Sequence, residues 1–516
     1  MTASRTHRIS SIFASISSVA ALTLLIRIMG FFDKVVLTSY FDLSNLEVFF
    51  VAISLPGMMF TMAVAIAQPI VLPGLAGRFV AGNFGDAAKQ LHTWLLTFIG
   101  PLLIGAALLA LFPGPVTRLL APGFDAPRRE ICEAMIVKLA PFTVVMCLLP
   151  LLNAFLNAQR KFIRPPFGEL AMKLTAIVIV VGLGRQWGVS AALWGTALGM
   201  LTYFLVVCSG LHGVFKYRPS LADFKTQEYR RALLLMVAPC IGTVLARMGE
   251  IVERAVASTL APGSVAALVL ARKLVDLPLL IVSVASATVL FTYFAELNHA
   301  GARQQLATML GTGIRAMTLI FLPITILTCL LAEPVVALVY HRGHFEWDAV
   351  RQVAQVLSWL APSMIFVAVE MLLMRHFFSR LDVWTPTLIG ALCVIIRICL
   401  LWLLPMYLGL PGVALAVTVS RGLKVGGLIL VMRKWRERVP FSRMLADGSR
   451  IAAAAVAAAL VVLLILRLNK GAMASSFVQA RLIVVAGTAG MATFAVAISA
   501  LWRGRLREAL LPGRTN

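Results

Sequence analysis

Leu25-Ile26-Arg27-Ile28-Met29-Gly30-Phe31-Phe32-Asp33-Lys34 and Leu245-Ala246-Arg247-Met248-Gly249-Glu250-Ile251-Val252-Glu253-Arg254 are two versions of one segment, 220 residues apart. Each sets an Arg, an acid six residues later and then a second base into an otherwise apolar stretch. The correspondence continues in order along the chain. Leu55-Pro56 matches Leu277-Pro278 at a displacement of 222, and Leu139-Ala140-Pro141 matches Leu360-Ala361-Pro362 at 221. Pro165 matches Pro386, again at 221, and Gly188-Val189-Ser190-Ala191-Ala192-Leu193 resembles Gly412-Val413-Ala414-Leu415-Ala416-Val417. Features that recur in one order at nearly one spacing mark a duplicated structural unit.

The repeat is set in a membrane protein. Of the 516 residues, 60% are apolar and 13% charged, with a mean hydropathy of +0.92. A soluble domain carries about 25% charged residues. About 20 apolar residues cross the hydrocarbon core as helix. Fourteen segments qualify: 15–40, 47–77, 88–113, 131–158, 166–184, 188–215, 230–261, 264–297, 303–332, 349–379, 385–406, 409–433, 446–467 and 478–502. Each repeat therefore holds six spans. An even number gives both lobes the same orientation, as in parallel repeats related by an axis along the membrane normal. The expected fold is an all-α polytopic membrane protein of fourteen transmembrane helices, with two parallel six-helix lobes and two extra C-terminal helices. The expected boundaries are 11–216 for the N-lobe, 229–435 for the C-lobe and 441–503 for the last two helices.

The net charge of +24 invites a nucleic-acid reading, but Lys and Arg sit mainly in short loops between apolar spans. In a membrane protein that pattern sets topology. With the N-terminus inside, bases favour the cytoplasmic side about three to one, which places both termini there. Arg5, His7 and Arg8 precede a long first span with no small-residue cleavage site. The seven cysteines lie in or beside apolar runs without metal spacing, so they are core residues. No GxSxG, HExxH or GxxxxGK[ST] motif occurs, and no enzyme or cofactor is implied.

Charges inside spans are costly, by roughly 2.5–3.5 kcal/mol each at the bilayer centre, and by default mark a substrate pathway. They include Arg27, Asp33 and Lys34; Arg247, Glu250, Glu253 and Arg254; Arg272, Lys273 and Asp276; and Glu370, Arg397, Arg421 and Lys424. Neighbours on a helix diverge by about 100°, so Asp33–Lys34 and Glu253–Arg254 are not expected to pair side by side. Asp276 lies four residues from Arg272, which allows a structural pair and leaves Lys273 as the freer cation. Arg397, Arg421 and Lys424 suit packing or an inner vestibule better than the substrate path. The bases outweigh the acids, and Arg and Lys suit phosphate. The substrate-binding candidates are Arg27, Lys34, Arg247, Arg254 and Lys273. Asp33, Glu47, Glu253 and Asp276 are candidate coupling or structural acids. Pro56, Pro141, Pro165 and Pro278 are candidate bends.

Several stretches carry a family resemblance: Arg27-Ile28-Met29-Gly30-Phe31, Glu47-Val48-Phe49-Phe50-Val51-Ala52, Leu120-Ala121-Pro122-Gly123-Phe124, Leu156-Asn157, Ala271 to Pro278 and Phe377 to Pro386. In order and spacing the chain resembles the MurJ/MviN family of lipid II flippases, within the multidrug/oligosaccharidyl-lipid/polysaccharide exporter superfamily. The resemblance implies two lobes in a V around a cationic cavity. That cavity would bind the diphosphate and sugar of an undecaprenyl-linked precursor in the bacterial inner membrane. The last two helices would form a groove for its lipid tail. The family's first-helix arginine falls on Arg27, its second cation there beside Lys34, its eighth-helix arginine on Lys273 and its early acid on Glu47. Phe60-Thr61 stand where the family has a basic pair, and span eleven has no acid between Trp384 and Pro405. The expected function is alternating-access flipping of lipid II, driven by membrane potential or an ion gradient. Other readings are flipping of another lipid-linked oligosaccharide, drug/cation antiport and a membrane glycosyltransferase.

Overall fold

The computed structural model describes residues 2–217, 220, 223–279, 303–380, 382, 384–434, 441–469 and 476–502. Among these residues there are helices, turns and loops and no strand. Eleven helices are long and apolar enough to cross a membrane, or twelve if one bent pair counts as a single span. The sequence count of fourteen adds the charged first helix and the helix that begins at residue 264. Residues 280–297 of that expected eighth span lie outside the described residues.

The chain divides into two compact units, Met1–Gly263 and Ser264–Asn516. The first begins with α1 (Thr2–Tyr40), α2 (Leu43–Ala52) and α3 (Ser54–Ile66). A π-helical turn, Ala67–Val71, joins α3 to α4 (Leu72–Val80). Pro69 sits in that turn; it offers no N–H to the helical ladder, and the local register widens there. The expected span 47–77 is thus a short helix followed by one long bulged helix. Next come α5 (Phe84–Leu111), α6 (Pro113–Leu120), α7 (Ala126–Ala158), α8 (Arg164–Trp187), α9 (Ser190–Cys208) and α10 (Gln227–Ser258). Asp42, Asn83, Asp125 and Thr226 cap α2, α5, α7 and α10 by accepting backbone N–H groups with their side chains, which satisfies first-turn donors.

The most enclosed span of this unit is α7, which packs against α2, α3, α4, α5, α6 and α9. Trp94, Phe155, Leu91 and Leu75 fill the core around it. Helices α8 and α9 pair closely, and α1 packs on α8. Helix α10 packs on α3 and α6 and closes the unit at Gly263. The repeat, by contrast, counts α10 as the first span of the second lobe.

The second unit contains α11 (residues 264–279), α12 (Arg303–Leu330), α13 (Ala332–Tyr340), α14 (Trp347–Leu360), α15 (Ser363–Ser379), α16 (Trp384–Leu408), α17 (Leu410–Lys434), α18 (Phe441–Leu468) and α19 (Ser476–Trp502). Helix α17 packs on α14, α15 and α16, while α18 and α19 pair and lean on α12 and α13. Ala454, Ala455 and Ala458 are buried between α18 and its neighbours, as small side chains allow close approach between membrane helices. Asp447 of α18 binds Arg315 of α12 at 3.4 Å.

Each unit contains one short helix after a long span, α6 after α5 and α13 after α12, which the sequence offered only as span ends or loop. Pro113 at the first turn of α6 needs no N–H partner there. Each short helix leads into a loop anchored by a buried ring, Phe124 or Phe345. The prolines diverge from expectation. Pro56 and Pro165 lie in the first turns of α3 and α8, where they start helices. Pro141 stays inside the continuous α7. Its counterpart Pro362 caps α15, where α14 and α15 bend by 42°.

Candidate functional site

One set of charges within the spans of the first unit lies along α1 and α8. Arg27 is exposed on α1. Two turns on, Lys34 Nζ binds Asp33 Oδ2 at 2.8 Å and lies 5.0 Å from the Phe50 ring centroid. The expectation that neighbours would not pair is overturned: the four-carbon lysine stem curls back across the helix face and places its head group on the adjacent carboxylate. Lys173 reaches over from α8, its tip 3.8 Å from where a Cβ on Gly30 would stand. Asp33, Lys34, Glu169 and Arg27 are the charges that act on it. No acceptor lies within hydrogen-bonding distance of its ammonium among the described residues. Lys34, Asp33 and Lys173 line a cavity of about 200 Å³, with Gly57, Met146 and Thr196 on its other walls. The sequence reading passed over Lys173 and Glu169, although both fall inside the segment 166–184. A base in mid-span is the same signal that singled out Arg27.

Glu47 is sealed in the middle of α2. Its Oε2 accepts from Arg128 at 3.1 Å and from the Gly263 backbone N–H at 2.8 Å. Gly263 has φ +85, a left-handed conformation suited to glycine. Arg128 also binds Asp125 at 2.7 Å and lies over the Phe124 ring. That hydrogen bond, aided by the guanidinium charge, holds the Asp125 carboxyl below the usual carboxylate range. Gly123 donates its N–H to Ser258 Oγ at 3.2 Å, docking the Leu120–Phe124 loop on the end of α10.

On α10, Arg247 binds Glu250 at 2.7 Å and donates to Thr61 Oγ1 at 3.2 Å. A guanidinium therefore stands beside the position where a span-two base was expected. Glu253 is buried and Arg254 half-buried on the same helix. Where α4, α5 and α10 meet, a cavity of about 800 Å³ is bridged by Arg78–Glu228 at 3.0 Å and lined by Trp94 and Tyr229.

In the second unit, Arg272, Lys273 and Asp276 are half-buried on α11. Among the described residues Asp276 makes no ion pair, so the pair with Arg272 that the spacing allows is not seen there. Among the described residues of this unit, the buried Glu370 on α15 is held by Arg421 at 2.9 Å and Lys424 at 2.5 Å from α17.

The fold places the chain among known architectures. A MATE-family multidrug resistance transporter of the MOP superfamily, in its inward-facing conformation, aligns with a TM-score of 0.66 at 14% identity. The alignment covers 84% of this chain and 99% of that one. A lipid II flippase MurJ in an inward closed conformation aligns with a TM-score of 0.78 at 18% identity, covering 94% and 98%. The protein is a multi-pass membrane protein with the fold of that transporter superfamily. Residues 40–486 match the family of the lipid II flippase MurJ, and the chain belongs to it. The lipid II flippase MurJ of Burkholderia cenocepacia is 23% identical over 442 residues, 82% of this chain and 84% of its own. The probable lipid II flippase MurJ of Thermotoga maritima is 24% identical over 396 residues, 76% and 80%.

Proposed function

We propose that the protein flips lipid II, an undecaprenyl-diphosphate-linked saccharide, across the bacterial inner membrane by alternating access. The observation that carries this is membership of the flippase family over residues 40–486. The site chemistry agrees with it. A diphosphate head group cannot cross hydrocarbon unshielded, because burying uncompensated charge is prohibitive. Arg27 and Lys34 offer cations on one helix face, Arg247 supplies a guanidinium beside Thr61, and Arg254 and Lys273 are further substrate contacts. Asp33 balances the charge of Lys34, and Glu47, Glu253 and Asp276 are coupling or structural acids. The lipid passes unchanged, so the protein acts as a transporter and not as an enzyme. The repeats at 11–216 and 229–435 serve as the alternating lobes, and helices within 441–503 receive the lipid tail. Both termini face the cytoplasm, in line with the loop charges.

The test is leaflet exchange in vesicles. Purified protein reconstituted with lipid II should make labelled head groups reachable from the opposite leaflet, and Arg27→Ala should remove that exchange at equal protein content. Equal exchange in protein-free vesicles would refute the reading.

A further inference from the structure

We propose that Lys173 completes a row of three cations, Arg27–Lys173–Lys34, that holds the phosphate groups of a lipid diphosphate within the first unit. The inference rests on the flippase reading and names an additional residue for its substrate. Arg27 and Lys34 are seven residues apart on α1, nearly two turns or about 10 Å along the axis, and so share a face. Lys173 enters from α8 at Gly30, between them, its Nζ 3.8 Å from the place of the absent Cβ. The end of the lysine stem thus lies against the face of α1 that carries Arg27 and Lys34.

The acid in ion-pair contact with this row is Asp33, and Lys34 already occupies it at 2.8 Å. Glu169 stands one turn before Lys173 on α8 without closing an ion pair to it among the described residues. The Lys173 ammonium thus has charged neighbours but no acceptor, at the wall of a cavity of about 200 Å³. At roughly 30 Å³ per water, that volume holds about six waters, more than one small ion needs. A carboxylate would engage one or two of the cations. Two linked phosphates present acceptors along the length of the row, with Lys acting as a point charge and Arg as a fork. Inorganic pyrophosphate shares this chemistry, so the lipid-linked source must be separated by experiment.

The full-length protein in lipid nanodiscs is titrated with undecaprenyl diphosphate and, separately, with inorganic pyrophosphate. Labelling of Lys173 by an amine-reactive ester is followed by mass spectrometry. Undecaprenyl diphosphate should bind and shield Lys173, and Lys173→Gln should weaken its binding by about tenfold or more, as loss of a charge-assisted contact does. Lys173→Arg should restore most of the affinity. If Lys173→Gln does not fold, shielding in the unsubstituted protein decides alone. Binding without shielding, or with unchanged affinity in Lys173→Gln, overturns the role of Lys173 and leaves the flippase reading standing. Pyrophosphate binding as tightly as the lipid rejects the lipid-linked source. Failure of the unsubstituted protein to bind either probe overturns both readings together.

Discussion

Glu47 shows how much a single side chain can tie together. Its carboxylate joins α2 to Arg128 at the start of α7 and to the Gly263 amide beyond α10. Removing one partner of a buried pair strands the other, at a cost of about 3–5 kcal/mol. The low end applies here, since the Arg128 side chain keeps 16% of its exposure. Glu47→Ala should therefore lower the thermal midpoint in detergent markedly. Arg128→Ala should do much the same, and the double variant should lose less than the sum. Additive losses would show that the two side chains are energetically independent. Lys34 and Asp33 teach a different lesson. Their presence in the first span was legible in the sequence, but their pairing was not, because it depends on a lysine rotamer and not on helical spacing. The approach of Lys173 to Gly30 is a contact between residues 143 apart in sequence, and no local pattern announces which face of α8 meets α1.

At the scale of elements, the Leu120–Phe124 loop is the joint with the least tolerance. A Cβ on Gly123 would lie 2.1 Å from the Ser258 carbonyl oxygen, a backbone atom that cannot swing aside. Gly123→Ala should destabilise by about 1–3 kcal/mol, the usual cost of overpacking. Gly57→Ala is the control: nothing lies within 4 Å of that position, and it is helical, so the change should be neutral or stabilising. Thermal unfolding of the two variants separates them, and equal midpoints would contradict the docking geometry. The long helices were readable from hydropathy because a membrane demands about 20 apolar residues wherever it is crossed. The short α6 and α13 were not, because eight or nine residues are too few for that signal. Proline gave mixed information. Its effect depends on whether its missing N–H falls in a first turn, as at Pro165, or within a helix, as at Pro141.

For the whole molecule, the sequence repeats Arg27, Asp33 and Lys34 as Arg247, Glu253 and Arg254 at a displacement of 220, and the family match covers residues 40–486. The boundary between compact units was not legible there, since the sequence repeat counts α10 with the second lobe while the helix packs with the first unit. Energy coupling is also a property of the whole. Glu370, a buried acid of the second unit, already has two cationic partners in Arg421 and Lys424, which leaves it poorly placed to bind a sodium ion. Transport should thus persist without sodium at constant membrane potential, where each charge moved is worth about 2.3 kcal/mol per 100 mV. Vesicle flipping abolished by sodium removal alone would contradict this. The central claim, that this chain moves lipid II by way of its intramembrane cations, is tested most directly in a bacterium depleted of its own lipid II flippase. The unsubstituted protein should restore growth and cell shape. Arg27→Ala and Lys273→Ala should each fail at equal membrane levels, and Lys273→Arg should succeed. No rescue by the unsubstituted protein at normal membrane levels, or full rescue by both alanine variants, would contradict the account.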